Sequence, residues 1–424
     1  MGTFRWTVKD PALLDRGGVI APDERLPWLQ TAVMCIQHVI AMFGATVLAP
    51  LLMGFNPNIA ILMSGVGTLI FLLVTRGRVP SYLGSSFAFI GAVIAATGYA
   101  GQGPNAGIAV ALGGIIACGA CYALIGGIVQ VTGTGWIERC MPPVVTGAVV
   151  AVIGLNLASV PIKTMAAGNF DSWLQLATFV SVGVVAVFTR GSLQRLLILA
   201  GLLFSSALYA VLTNGLGLGK PIDFAAVAHA AWFGMPTFVS PVFSAEAMPL
   251  MVPVTIVLVA ENLGHIKAVT AMTGRNVDAF MGRAFMGDGV ATMVSGTFGG
   301  TGLTTYAENI GVMAATKIYS TAVFLLAALW AIALGFSPKF GAVIQAIPLP
   351  VMGGISIVVF GLIAVAGARI WVENKVDFAD NKNLIVAGVT LILGTGDFTL
   401  RFGQFALGGI GTATFGAILD RKST

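Results

Sequence analysis

The sequence predicts an all-α membrane protein of about fourteen transmembrane segments, arranged as two inverted seven-helix repeats, with two broken helices that carry short extended strands. Three observations predict it: a composition that no water-facing surface tolerates, basic residues confined to alternate loops, and short motifs that recur between the halves.

Of 424 residues, 57% are hydrophobic and only 9% charged, with a mean hydropathy of +0.93. Soluble domains carry about 25% charged residues, so the bilayer is the solvent here. The formal charge of +5 needs no nucleic acid to explain it, because basic residues collect in cytoplasmic loops. The 55 glycines suit close approach of helices. Cys35, Cys118, Cys121 and Cys140 lie in or beside apolar runs and read as packing thiols. The C-x-x-C of Cys118 and Cys121 has no soluble context that would make it a metal or redox pair. Residues 1–27 are polar, carry D-P-A and A-P-D-E-R-L-P, and read as a cytoplasmic tail without a cleavable signal.

A spanning helix needs ~20 mainly apolar residues. Apolar runs between charges and Pro/Gly breaks give candidates at 28–50, 57–75, 80–98, 106–131, 142–162, 172–189 and 194–214, then at 246–271, 281–297, 303–318, 318–336, 346–370, 383–396 and 405–420. With the N-terminus inside, the outer loops receive only Lys163, Lys220, Lys339 and Arg401 of the 22 basic residues. That asymmetry supports an even number of crossings with both termini in the cytoplasm.

The halves also resemble one another. PVVTGAVVAVIGL (Pro143–Leu155) matches PVMGGISIVVFGL (Pro350–Leu362), and S-S-F-A (Ser85–Ala88) matches T-T-Y-A (Thr304–Ala307). Seven is odd, so two seven-segment halves run in opposite senses, as in many secondary transporters. The sizeable polar interval, Thr213–Glu246, falls between them. S-S-F-A-F and T-T-Y-A-E are rich in hydroxyl and aromatic residues beside Gly84, Gly299, Gly300 and Gly302. Non-helical backbone survives at membrane depth only if buried in protein or lining a cavity. Each is therefore expected to be an extended stretch leading into a half-helix, the two meeting near the midplane, with half-helix N-termini and free backbone groups lining a polar pocket.

Two carboxylates are the outstanding candidates for chemistry. Glu261 in VTIVLVAENLGHIKAV and Glu308 in TTYAENIGVMAATK sit in apolar surroundings and share the motif A-E-N-x-G. An ionisable group at membrane depth costs at least ~2.5–3.5 kcal/mol on insertion scales, so such residues mark substrate or proton sites. His265 is four residues after Glu261, on the same helix face, and histidine is the natural proton carrier near neutral pH. Phe87 and Tyr306 occupy equivalent places in the repeats and suit the faces of a flat ring. Gln37 and His38, in the first segment, fit a site role and a structural hydrogen bond equally. Asp288 reads first as a structural link between helices and otherwise as a proton relay. His229 reads as a solvated loop residue. No Walker motif, H-E-x-x-H, nucleophile elbow or metal-ligand cluster is present, so no metal and no cofactor are expected.

These residues resemble a known family, the nucleobase–ascorbate transporters, over essentially the whole chain. Glu308-Asn309-Ile310-Gly311 followed by Thr316-Lys317 fits the signature [QEP]-N-x-G-x4-T-[RKG], and Gln37-His38 matches the family's first-helix Q-H pair. A-E-N-L-G-H and G-S-S-F-A-F look like the uracil permease branch. APDERLP, GRVPSYLGSS, MTGRN and FGLIAVAGARIWV look like pyrimidine permeases of the bacterial pyrimidine-utilisation pathway. The resemblance implies a core domain from 28–131 and 246–336, a gate domain from 142–214 and 346–420, and a homodimer formed through the gates. It implies proton-coupled uptake of uracil across the bacterial inner membrane by alternating access. Glu261 and Glu308 would hydrogen-bond the pyrimidine, Phe87 would pack on it, the backbone at Phe87 and Ala307 would touch it, and His265 would join proton coupling. Ala307 stands where the branch can have Gly, and Phe360 where a close relative has Tyr. The competing readings are a purine or xanthine symporter of the same fold, an anion exchanger of a related fold, and an integral-membrane enzyme.

Overall fold

The computed structural model describes residues 5–99, 103–166, 168–189, 197–402, 405–407, 409, 411–414 and 416–417. In chain order the elements are β1 (Thr7–Val8), α1 (Ala12–Asp15), β2 (Glu24–Arg25), α2 (Trp28–Met53), α3 (Pro57–Val74), β3 (Leu83–Ser85), α4 (Phe89–Thr97), α5 (Ile108–Thr132), α6 (Gly135–Cys140), α7 (Pro143–Leu157), α8 (Ser159–Thr164), α9 (Asn169–Phe188) and α10 (Leu197–Ala210). There follow α11 (Ala225–His229), α12 (Met248–Met251), α13 (Val254–Thr273), α14 (Met281–Thr297), β4 (Leu303–Thr305), α15 (Ala307–Thr316), α16 (Thr321–Gly335), α17 (Pro338–Gln345), α18 (Leu349–Glu373), α19 (Asn381–Thr395), β5 (Leu400–Phe402) and β6 (Phe405–Leu407). Side-chain caps start several helices: Asn56 accepts from Asn58 ahead of α3, Ser337 from Phe340 ahead of α17, and Asp380 from Lys382 ahead of α19.

Among the described residues, eight helical stretches are long and apolar enough to cross a membrane, and nine if α16 and α17, bent by 82°, count as one. The chain is thus a mostly helical, multi-pass membrane protein. The fourteen segments expected from sequence are more numerous for physical reasons. The third and tenth are split by strands into half-helices of 9 and 10 residues. Helices α14, α16 and α19 have 17, 15 and 15 residues. Of 405–420, residues 409, 411–414 and 416–417 are helical, and 408, 410, 415 and 418–420 lie outside the described residues. The start of that stretch forms β6 against β5 instead of the expected helix.

Glycine sets the closest helix contacts. A methyl group on Gly126 of α5 would meet the Gly282 carbonyl oxygen of α14 at 2.7 Å, and one on Gly119 would meet that of Gly289 at 2.8 Å. Helices α7 and α18 pack in the same manner through Gly147 and Gly367, and the Trp371 indole donates to the Val144 carbonyl at 3.0 Å. In a bilayer such packing replaces the hydrophobic driving force.

The N-terminal segment expected as a tail folds back on the helices as a strap. Strands β1 and β2 pair in parallel, and Lys9 bridges to Glu24 at 3.2 Å. Ile20 is fully buried; its N–H donates to Lys317 O at 3.0 Å and its carbonyl accepts from Tyr319 N at 2.8 Å. The Thr321 hydroxyl donates to Pro22 O at 2.9 Å and accepts from the Trp6 indole at 2.9 Å. The interval 213–246 also differs from its polar reading. Although His229 is exposed, Trp232 stacks under the Lys339 ammonium at 4.9 Å, and Phe233 and Phe238 meet Phe336 and Phe298 at 5.9 and 5.7 Å.

Glu138 of α6, outside the spans, and Lys267 near the end of α13 form an ion pair at 2.9 Å. The Lys267 ammonium holds the Glu138 carboxyl below the usual carboxylate range. A carboxyl so depressed adds stability above its ordinary pKa and loses it as pH falls through the lowered one.

Two predictions follow from this packing. Gly126→Leu overfills the α5–α14 contact and should cost about 1–3 kcal/mol or more, read as a lower melting temperature; an unchanged melting temperature would contradict the contact. Glu138→Gln should lower the melting temperature slightly at pH 7, by under ~1 kcal/mol for so exposed a pair. The difference from wild type should vanish on acidification below the carboxylate range, and a difference that persists there would exclude the ion pair as its source.

Candidate functional site

Strands β3 and β4 pair antiparallel, Leu83 opposite Thr305, Gly84 opposite Thr304 and Ser85 opposite Leu303. All six residues are buried. A two-stranded pair has two open edges, which lipid cannot satisfy. Here threonine hydroxyls close them. Thr68 of α3 accepts from Leu83 N at 2.9 Å, and Thr292 of α14 accepts from Leu303 N at 3.1 Å. The Thr292 hydroxyl donates back to Leu303 O at 3.1 Å. Ser85 and Thr301 hydroxyls join across the pair at 2.6 Å, and Ser86 N donates to Gly302 O at 2.9 Å.

This crossing delivers two half-helix N-termini. Helix α4 starts just after Phe87, and α15 starts at Ala307 with Glu308 in its first turn. Helix α13 packs against both β4 and α15, which sets the helix carrying Glu261 against the helix carrying Glu308. Both glutamates are partly accessible, and Ala307 beside them is exposed. Their shared motif explains itself on the helices. In each A-E-N, the glutamate faces open space while the next residue, Asn262 or Asn309, is fully buried.

The buried asparagines are anchors. Asn309 donates to His38 Nδ1 and to the His38 carbonyl oxygen, both at 3.1 Å. His38 is buried against Phe324, ring centroids 4.6 Å apart. The histidine of the Q-H pair therefore fastens α2 to α15, whereas Gln37 is partly accessible. Asn262 Nδ2 donates to the Tyr122 hydroxyl at 2.8 Å and to Asp288 Oδ2 at 2.5 Å, and its Oδ1 accepts from Thr305 at 3.2 Å. Asp288, without a visible partner in the sequence, is thus held by Asn262 and has one oxygen, Oδ1, with no hydrogen bond.

His265 is tied to Thr305, its Nδ1 lying 2.9 Å from the hydroxyl, instead of to Glu261 as the spacing suggests. The Thr305 proton points to Asn262, so His265 Nδ1 must carry its own proton and donate, leaving Nε2 as the accepting atom. This assignment follows from the orientation of the Asn262 amide, whose oxygen faces Thr305 and whose NH2 faces Asp288. The chain His265–Thr305–Asn262–Asp288 runs from the accessible face into the interior.

Phe87, partly accessible, meets the buried Phe360 of α18 edge to face at 6.2 Å. Tyr306 is buried beneath the crossing. Its hydroxyl donates to Ser85 O at 3.0 Å and accepts from Thr46 at 3.1 Å, and its ring fills the space where a Gly84 side chain would stand. One open face leads away from the glutamates, with Gly264 and Ala268 on α13 and Ala307, Gly311 and Ala315 on α15 all exposed. Thr305, Asn262 and Tyr122 escape the sequence reading. The only signal for Asn262 is the asparagine repeated after each glutamate.

Residues 29–402 match a sequence family described as "Permease family". The chain belongs to the nucleobase–ascorbate transporter family. This family member is 65% identical over 418 residues to the "Putative pyrimidine permease RutG" of Escherichia coli (strain K12), covering 99% of this chain and 94% of that protein. It is 41% identical over 414 residues to the "Uracil permease" of Paenibacillus larvae, at 95% of each chain. It is 39% identical over 405 residues to the "Uracil permease" of Escherichia coli (strain K12), at 93% and 91%. Among solved structures, the permease resembles the transmembrane domain of the cyanobacterial bicarbonate transporter BicA, with a TM-score of 0.63, 16% identity, and 87% and 95% of the two chains covered. It resembles SLC26A9 with a TM-score of 0.64 and 13% identity, over 92% of this chain and 65% of that one. At those identities the likeness is one of fold.

Removing the Thr305 hydroxyl tests the network. Thr305→Val should cost about 1–3 kcal/mol of stability by leaving buried partners unpaired, while Thr305→Ser should stay near wild type. Equal melting temperatures for the two variants would remove Thr305 from the network.

Proposed function

We propose that the permease imports uracil, or a closely related pyrimidine base, with a proton across the bacterial inner membrane by alternating access. The observation that carries this reading is the packing of the Glu261 helix against the Glu308 helix, both glutamates partly accessible, at the β3–β4 crossing that also leads into Phe87. A pyrimidine base offers ring N–H donors along one edge and carbonyl acceptors beside them. Two carboxylates receive the donors, the α15 N-terminus offers N–H groups to a carbonyl, and the aromatic Phe87 covers a ring face. The names of the relatives at 65%, 41% and 39% identity support the same class.

Two carboxylates at one site repel, and a proton taken up with the base relieves the repulsion. His265, with Nε2 free to accept, is the proposed intermediary, and the Thr305–Asn262–Asp288 chain is the route by which its state is felt inside the protein. Tyr306 supports the crossing that holds the ring, with Ala307 at the ligand's edge and Phe360 opposite Phe87. In this reading the core domain (28–131 and 246–336) moves against the gate domain (142–214 and 346–420), the two halves are inverted repeats, and gates pair in a homodimer. The open face past Gly264, Ala268, Gly311 and Ala315 runs toward Lys267 and Lys317, on the side the basic residues mark as cytoplasmic, and serves as the release path. The fold likeness to the bicarbonate transporter favours anions as a second reading, but a pair of acidic side chains opposes an anionic ligand.

Uptake of labelled uracil into proteoliposomes should rise with an inwardly directed proton gradient, and uptake indifferent to the gradient would end the symport claim. Glu308→Ala should raise the uracil Kd roughly ten- to a hundredfold, as for the loss of a hydrogen bond to a charged group. Competition by unlabelled xanthine stronger than that by uracil would transfer the site to purines.

A further inference from the structure

We propose that Asp23, in the N-terminal strap, is a positioning residue for the two-glutamate site, acting at the cytoplasmic ends of the helices that carry Glu261 and Glu308. The inference rests on the reading of those glutamates as the ligand site.

Helix α15 has ten residues, too few to hold its own direction. Its orientation comes from what fastens it. The β4 pairing fixes its start and the Asn309–His38 bonds fix its middle. Its far end is capped by Lys317 in a left-handed conformation, φ 59°, and that residue is fastened by the strap. Ile20 exchanges backbone hydrogen bonds with Lys317 and Tyr319, and Thr321 donates to Pro22 from both backbone and side chain. Asp23 follows directly. Its carboxylate lies 3.7 Å from Arg275 and 3.8 Å from Arg78. Arg275 stands just beyond α13, after the left-handed Gly274 that ends it, and α13 carries Glu261. Arg78 stands between α3 and β3, in the turn whose Gly77 carbonyl accepts from Thr321 at 3.4 Å. One side chain therefore joins the strap that holds the Glu308 helix to the end of the Glu261 helix and to the approach to β3.

The three charged groups are about half exposed and border a cleft of about 190 Å³ with Pro22, Asn276 and Phe280. Exposed pairs are individually weak and screened by salt. The backbone bonds of Ile20 and Thr321 hold the strap in place, and the charges of Asp23 set the relative position of the two helix ends. The mark of such a role is a modest, salt-sensitive change in ligand affinity without loss of folding.

The test uses the full chain in nanodiscs. In Asp23→Asn, uracil Kd should rise by up to about fivefold at low salt, with a melting temperature near wild type. Asp23→Glu should restore the affinity. The wild type should lose its advantage over Asp23→Asn at high salt. In parallel, spin labels at the exposed positions 268 and 315 report the separation of α13 and α15 without any ligand; their distance distribution should broaden in Asp23→Asn and recover in Asp23→Glu. A Kd unchanged in Asp23→Asn, or one that rises without any change in the spin-label distances, overturns the proposal. A wild type that binds no uracil overturns the uracil reading instead, and the spin-label distances then decide the positioning role alone.

Discussion

The rest of the structure depends on one constraint: extended backbone placed among membrane-spanning helices must find all its hydrogen bonds within the protein. Strands β3 and β4 satisfy one another on their facing sides. Thr68 and Thr292 satisfy the outer sides, each from a neighbouring helix. Without those hydroxyls the crossing would carry bare amides and carbonyls, at several kcal/mol for each group in hydrocarbon. Because the crossing is closed, two helices can begin in mid-protein, at the places where Phe87 and Glu308 stand.

The two glutamates and the broken segments were legible in the sequence because each violates a local rule. A carboxylate in an apolar run and a Gly-rich hydroxyl cluster in a hydrophobic stretch are conspicuous without any three-dimensional information. The partners that hold them were not legible, since hydrogen bonds such as Asn309–His38 span 271 residues and Asn262–Tyr122 span 140. Helical spacing correctly placed Glu261 and His265 on one accessible face, but it could not reveal that Thr305, from another element, competes for the imidazole. That the N-terminal segment packs as a strap is illegible in the sequence for a similar reason. Its polar composition is real, yet Ile20, Ala21 and Leu26 are buried against a loop far away in sequence. The interval 213–246 reads as polar because Gly, Pro, Ser and charged residues break its apolar runs, and that reading hides the aromatic rings that seat it.

Architecture alone says little about what crosses the membrane here. BicA and SLC26A9 share the fold at 16% and 13% identity, and sites on a shared fold diverge through a handful of side chains. The side chains that distinguish this site are acidic, and the residue after each acid secures it from behind. That pairing of an exposed acid with a buried amide makes each A-E-N a short, self-contained mounting.

The fastening of α15 at its start, middle and end also governs how such a protein can diversify. A wall pinned at three points tolerates little redesign, because moving one fastening misaligns the others. Phe360, which meets Phe87, sits on a long helix held to α7 by glycine contacts at Gly147, Gly154 and Gly367. Exchanging that ring leaves every clasp on the acidic wall untouched. On the proposed reading of the glutamates as the ligand site, a change of ligand preference is most accessible through the aromatic side, with the carboxylate side kept as a fixed reference edge.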